Sequence, residues 1–456
     1  MIVHELAKFV DSARFEELSD EALEQLKIRL LDSLGTAIGA VEGQPVVAIR
    51  KMIDDLAGTP QATLIGGGKT SIERAALYNS ALVRYLDFND SYLAKGETCH
   101  PSDNIGAILA AGELNEISGK DFLTALAVAY QVQCRLSDEA PVRDHGYDHT
   151  VQGSYSVAAG VSKALGLPPE QTANALSIAG TALNALRVTR TGELSNWKGL
   201  AFPHTAFGGT HAALLAKYGI TGPPAVFEGN KGFKDTIAGE FEIDWPAENL
   251  ERVTDTIIKR YNAEIHSQSS IEGMAELKEE KGFTADEVVS IDIETFDVAF
   301  NIIGGGEEGD KTIVRRKEEA DHSLQYMVSA MLLDGQVMPE QYEQERIERD
   351  DIQSLLKKVH VTPLQEYSDR FPNEMCSRLT VQLKDGTEYS IEKTDYEGFT
   401  TRPMSWETIT AKFNMLAGPY TAREKREQLI ETVFSLEDHT VGELMKQLSN
   451  LKEAVR

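Results

Sequence analysis

Residues 379–391 read LTVQLKDGTEYSI. Leu379, Val381 and Leu383 alternate with polar positions, Asp385-Gly386 follows, and Tyr389 and Ile391 resume the alternation. An Asp-Gly pair between two alternating runs is the strongest short-range signal for a β-hairpin. Upstream, Val289, Ile291 and Ile293 alternate with Ser290, Asp292 and Glu294, which predicts a half-buried strand. A weaker strand is expected at Val359–Val361, with a helix over 321–333 between the two. Residues 269–396 therefore read as a small α+β domain.

On either side of it the period is that of a helix. Residues 19–38, SDEALEQLKIRLLDSLGTAI, place Ser19 as an N-cap, acids in the first turn, and Leu23, Leu26, Leu30, Leu34 and Ile38 on one face. Further helices are expected near 72–86, 103–116, 120–136, 150–165, 169–185 and 200–217, and again near 405–416, 423–435 and 440–454. Several carry small faces, such as Gly106-Ala107 with Ala110-Ala111, and Ala158-Ala159-Gly160, which let helix axes approach closely. Residues 219–232, with Pro223 and Pro224, read as a loop. The expected fold is mainly α: a large discontinuous helical domain (1–268 and 397–456) with an inserted α+β lid domain (269–396) and a cleft between them.

Composition narrows the function. The chain has 456 residues, with 72 acidic against 45 basic side chains and a formal charge of −27. Nucleic acid and anionic membrane surfaces are poor partners for such a chain, whereas an anionic small molecule remains possible because the local field in a cleft outweighs net charge. The N-terminal residues include His4, Glu5 and Lys8, unlike a secretory signal, and the most apolar run, Phe122–Tyr130, is under half a membrane span. A cytoplasmic protein is expected. Cys99, Cys134 and Cys376 are distant in sequence and no Cys-x-x-Cys occurs, so neither a disulfide framework, a structural zinc nor an iron–sulfur cluster is expected.

Two glycine-rich stretches invite a nucleotide reading and fail it. Gly66-Gly67-Gly68-Lys69-Thr70 lacks the earlier glycine of a phosphate loop, where Thr63 stands; in 304–312, Asp310 precedes Lys311 and two glutamates line the loop. Both read as turns. More informative are three helix starts with a cation or histidine at the cap: His100 before Pro101-Ser102, His149 before Thr150, and Lys198 after Trp197. Ser102 and Thr150 are the expected caps. Positive charge there opposes the helix dipole and costs folding stability, so it calls for an anionic ligand as the reason. Arg190 and Lys259-Arg260 add cations. Asp87, in Leu86-Asp87-Phe88-Asn89-Asp90-Ser91, could form a helix-ending turn or orient the His100 imidazole.

These residues resemble the MmgE/PrpD family, which includes 2-methylcitrate dehydratase and cis-aconitate decarboxylase. The resemblance rests on Leu86–Asp90 followed by His100-Pro101-Ser102-Asp103-Asn104, on Gly146-Tyr147-Asp148-His149, on Lys198, on Lys259-Arg260-Tyr261 and on Asp321-His322-Ser323-Leu324-Gln325-Tyr326. It implies a homodimer of helical domains with α+β lids, and a cofactor-free lyase acting on a di- or tricarboxylate. It places Asp87, Ser91, His100, His149, Lys198, Lys259 and Tyr326 at the active site. The chain departs from the dehydratase members where Lys95–Cys99 replaces their acidic-Trp-Gly run, and where Phe207 replaces a common Arg or Lys.

On this reading His100, oriented by Asp87, supplies one half of an acid–base pair and His149 or Tyr326 the other. Ser91, Lys198, Lys259 and Arg190 bind substrate, and the two lysines stabilise the charge that develops. The expected activity is dehydration of 2-methylcitrate or citrate; the alternatives are cis-aconitate decarboxylation, diacid isomerisation or epimerisation, and a non-enzymatic carboxylate-binding scaffold. His211 is expected between packed helices, His266 as a possible pocket member, and His322 at a helix start capped by Asp321. No His-Glu-x-x-His spacing occurs, so no metal site is expected.

Overall fold

The computed structural model describes residues 1–192 and 194–451. The chain divides into two compact units. The first comprises residues 1–190 and 196–256 and the chain from Met404 onward; the second comprises 257–403 with the short segment 191–195.

The first unit is helical. Ser19 caps the helix Asp20–Gly39, its hydroxyl accepting from the Ala22 amide at 3.0 Å, and Leu26, Leu30, Leu34 and Ile38 are buried. Helices Ile72–Tyr85, Ile105–Leu114, Gly119–Glu139, Thr150–Ala164, Pro169–Ala182 and Trp197–Lys217 follow the periodicity of the sequence. The small faces do what their size permits. A Cβ on Gly106 would stand 2.4 Å from the Ser80 amide nitrogen, and one on Gly160 would stand 3.0 Å from the Ala129 Cβ. Helices Ile2–Ser12 and Gln44–Leu56 are additional to those expected; the first buries Val3, Leu6, Ala7, Phe9 and Val10. The chain returns through Trp406–Ala417, Arg423–Phe434 and Val441–Leu448, the last opening on a Thr440/Glu443 capping box; residues 452–454 of the expected last helix lie outside the described residues. Among the described residues, no helix is long and apolar enough to cross a membrane.

The second unit is built on a four-stranded sheet. Strand Val288–Thr295 pairs in parallel with Val359–Pro363 on one side and antiparallel with Ser377–Leu383 on the other, and the last closes the hairpin with Glu388–Lys393. Gly386 takes φ +88° in the turn, and the Leu383 amide donates to the Thr387 carbonyl at 2.8 Å. Val289 corrects the expected alternation. A bulge between Val288 and Ser290 shifts the parity, so Val288 turns inward with Ile291 and Ile293 while Val289 is exposed. Ser323, not Asp321, caps the helix Leu324–Asp334, accepting from the Tyr326 amide.

The unit runs wider than 269–396 because long-range bonds recruit its flanks. The Ile258 amide donates to the Gly398 carbonyl, the Asn262 amide to that of Val337, and the Glu264 amide to that of Asp321. At the far end Arg402 pairs with Glu272 and Asp395.

Candidate active site

In the first unit the loop after helix Ile72–Tyr85 turns back on itself. Asp87 adopts φ +54°, and the short hairpin Tyr92–Leu93/Thr98–Cys99 brings Ser91 opposite His100. The proline at 101 holds His100 extended (φ −128°, ψ 85°), at the start of a 3₁₀ turn over Pro101–Asn104. His100 Nδ1 lies 2.8 Å from the Asp90 carbonyl oxygen and 3.1 Å from Ser91 Oγ. A carbonyl only accepts, so Nδ1 carries a ring proton and donates it to Asp90. The orientation expected from Asp87 thus comes, on this nitrogen, from the Asp90 backbone.

Asp87 turns its carboxylate to Arg84 Nη1 at 2.6 Å and to Lys198 Nζ at 3.4 Å. Arg84 continues the chain of charges to Asp103 Oδ2 at 3.5 Å, and Asn89 donates to Asp103 Oδ1 at 2.8 Å. Burial pushes the Asp103 carboxyl up to about 7 despite the neighbouring Arg84. Ser102 is not a cap; its amide and hydroxyl both donate to Asp90 Oδ1, while Tyr130 donates to Asp90 Oδ2.

His149 precedes helix Thr150–Ala164 and meets His100 edge to face, with ring centroids 5.4 Å apart. Thr150 does not cap this helix either: the Asp148 carboxylate accepts from the Thr150 amide at 3.1 Å. Arg190 in turn grips Asp148, Nε to Oδ2 at 2.5 Å and Nη2 to Oδ1 at 3.4 Å. This helix start therefore already holds an anion of the chain itself, and Arg190, expected to bind substrate, is occupied in holding it. Burial, with Arg190, Arg84 and Arg187, pulls His149 down to about 3 against the opposing charge of Asp148, so its imidazole is neutral at physiological pH. Burial would raise Asp148, but Arg190, His149 and Arg187 outweigh it and hold that carboxyl well below its usual range.

Glu97, in the stretch where the sequence departs from the dehydratases, is buried and accepts from the Val142 and Arg143 amides. Burial and the nearby Asp148 charge push it up to about 7. Cys99 and Cys134, remote in sequence, pack together with Tyr92 and Ala94; all three cysteines are free thiols.

Lys259 and Tyr326 belong to the second unit. Lys259 is buried, and with His266 and His322 it brings Glu264 down to about 2 against the effect of burial. Glu264 accepts from His266 Nδ1 at 2.7 Å; His322 Nδ1 lies 2.7 Å from Asp321 Oδ1, which also faces Lys317 through its other oxygen at 2.8 Å. His322 thus lies against the Asp321 carboxylate instead of serving the helix start. Tyr326 is fully buried in the core of this unit and donates its hydroxyl to the Gln341 carbonyl, which removes it from the expected role of acid. His211, expected between helices, is exposed and stacks on Phe207.

The MmgE/PrpD N-terminal domain matches residues 4–246 and the C-terminal domain residues 261–437. The chain belongs to the MmgE/PrpD family. Among its MmgE/PrpD relatives, the mitochondrial 2-methylcitrate dehydratase of Yarrowia lipolytica is 28% identical over 410 residues, covering 85% of this chain and 77% of that one. The 2-methylcitrate dehydratase of Escherichia coli K12 is 28% identical over 424 residues, 86% and 85% of the two chains. The cis-aconitate decarboxylase of Mus musculus is 25% identical over 465 residues, 96% and 91%. Of the residues in which the sequence resembles MmgE/PrpD proteins, Asp87, Ser91, His100, His149 and Lys198 lie in the first unit. Arg84, Asp90 and Arg187 were not foreseen; for Arg84 the signal was its position three residues before Asp87 at a helix end.

Proposed function

We propose that this protein is a lyase that eliminates water from a hydroxy tricarboxylate of the 2-methylcitrate type, using its own side chains as acid, base and electrostatic support. The observation that carries the reading is the contact of His100 Nδ1 with the Asp90 carbonyl, which fixes the ring edge to face with a neutral His149. His100 Nε2 takes the proton alpha to a substrate carboxylate, and the C–H electron pair moves into that carboxylate as an aci-anion. Lys198 stabilises the charge. Collapse of the aci-anion forms the C=C bond and expels the hydroxyl, which leaves as water with a proton from His149. Burial, with Arg190, Arg84 and Arg187, keeps His149 neutral in the free protein; a bound trianion opposes the three arginines and, with Asp148, draws a proton onto His149.

The relationship with the mouse cis-aconitate decarboxylase, which spans 96% of this chain, supports a second reading in which the same side chains promote release of carbon dioxide. Two assays in chelator-treated buffer separate them. Absorbance of a new conjugated double bond from 2-methylcitrate is expected; carbon dioxide from cis-aconitate instead would favour the second. A folded protein inactive on every hydroxy tricarboxylate and unsaturated acid offered would overturn both.

A further inference from the structure

Lys412 lies on helix Trp406–Ala417, 324 residues beyond the loop it touches. Its ammonium donates to the Phe88 carbonyl at 2.9 Å, stands 3.8 Å above the centre of the Phe88 ring, and meets Asp32 Oδ1 at 2.7 Å. All three residues are buried. Removing a lysine and an aspartate from water is expensive, and such pairs are often replaceable by apolar side chains without loss of stability, so this one calls for a reason other than stability.

The reason is the segment it holds. Phe88 follows Asp87, whose left-handed backbone persists only where the surroundings over-determine it. Two residues further, Asp90 is held from the opposite direction by Ser102 and Tyr130, while its carbonyl accepts from His100 Nδ1. The loop is therefore clamped at 88 from the C-terminal return and at 90 from the 3₁₀ turn and the helix Gly119–Glu139.

We infer that Lys412 is a positioning residue of the acid–base site: by gripping the carbonyl and ring of Phe88 it sets the Asp87 carboxylate and, through Asp90, the Nδ1 partner of His100. The inference rests on His100 as the base and deepens that reading. It concerns a residue that touches no reacting atom.

The test uses the full chain carrying Asp32→Asn and Lys412→Met together, which leaves neither charge uncompensated. Two readouts are taken: kcat and KM on 2-methylcitrate, and the ¹⁵N signal of the His100 ring proton, assigned by its loss in His100→Asn. Cooperative unfolding should persist, kcat should fall about 10²-fold and KM should move less than about threefold. The Nδ1–H signal should broaden or shift. Parent-like kcat and an unchanged ring signal would overturn the inference. If the double variant does not fold, Lys412→Arg, which keeps cation and donor but displaces the N–H, should lower kcat and shift the signal; parent values would again overturn it. Should the parent prove inactive on 2-methylcitrate, the proposed reaction falls, while the ring signal still decides the role of Lys412.

Discussion

Arg190 holds Asp148 through two nitrogen–oxygen contacts, the shorter 2.5 Å, and Asp148 in turn accepts from the Thr150 amide at the start of the helix beside His149. An arginine so engaged acts through the carboxylate it holds. Replacing it strips the buried Asp148 carboxylate of its direct ion-pair partner and leaves only the weaker field of Arg187, a loss of up to about 3–5 kcal/mol. Arg190→Met should therefore lower the urea midpoint strongly, together with kcat. A substrate-binding arginine would instead raise KM and leave the unfolding midpoint unchanged, so the two measurements made side by side settle its role.

His100→Asn keeps a side-chain donor near the Asp90 carbonyl and removes the Nε2 lone pair. Loss of a general base costs about 10²–10⁴ in rate. Turnover should fall by that factor with the melting temperature nearly unchanged; a collapse in stability would show that the ring is structural.

Lys198 carries the charge expected to stabilise the aci-anion, and its ammonium lies 3.4 Å from Asp87. Lys198→Met should lower kcat by about 10²–10³. The protein should still fold, because Arg84 remains paired with Asp87. A rise in KM alone would reduce Lys198 to ground-state binding.

Two buried groups tilt stability in opposite directions with pH. His149 is pulled from 6.5 to about 3, so below 6.5 the unfolded chain takes up a proton that the folded chain refuses, and stability falls as pH falls through that window. Glu97 is pushed from 4.5 to about 7, so the folded chain keeps a proton that the unfolded chain has released. Its contribution is lost as pH rises from 4.5 to 7 and is constant above. Denaturant titrations across this range should show the acid-side loss reduced in His149→Asn and the neutral-side loss reduced in Glu97→Gln. Unchanged slopes would mean these side chains titrate normally.

Proton uptake on binding is a separate expectation. Calorimetry of citrate binding in buffers of different ionisation enthalpy should reveal protons taken up near neutral pH, and His149→Asn should abolish most of that uptake. Equal heats in every buffer would remove His149 from the acid role.

Much of the fold was legible before any coordinates. Ser19 with its leucine stripe, Asp385-Gly386 between two alternating runs, and Gly106 and Gly160 on small helix faces each express a local rule of backbone geometry or side-chain volume. Val289 escaped because a bulge changes strand parity without changing composition. Ser102 and Thr150 looked like caps because their residue types favour that task, yet Thr150 is the first helical residue and gives its amide to Asp148, and Ser102 serves Asp90.

By itself the sequence determined the order of helices and strands, the family, and which imidazoles and ammonium groups are present, since periodicity and motif spacing are properties of neighbouring residues. Only the tertiary structure decided what those groups touch. Arg190 meets Asp148 across 42 positions, Lys198 meets Asp87 across 111, and Lys412 meets Phe88 across 324. Proton affinities follow the same division, because burial and through-space charge, which set His149 at about 3 and Glu97 at about 7, exist only once distant segments have excluded water together.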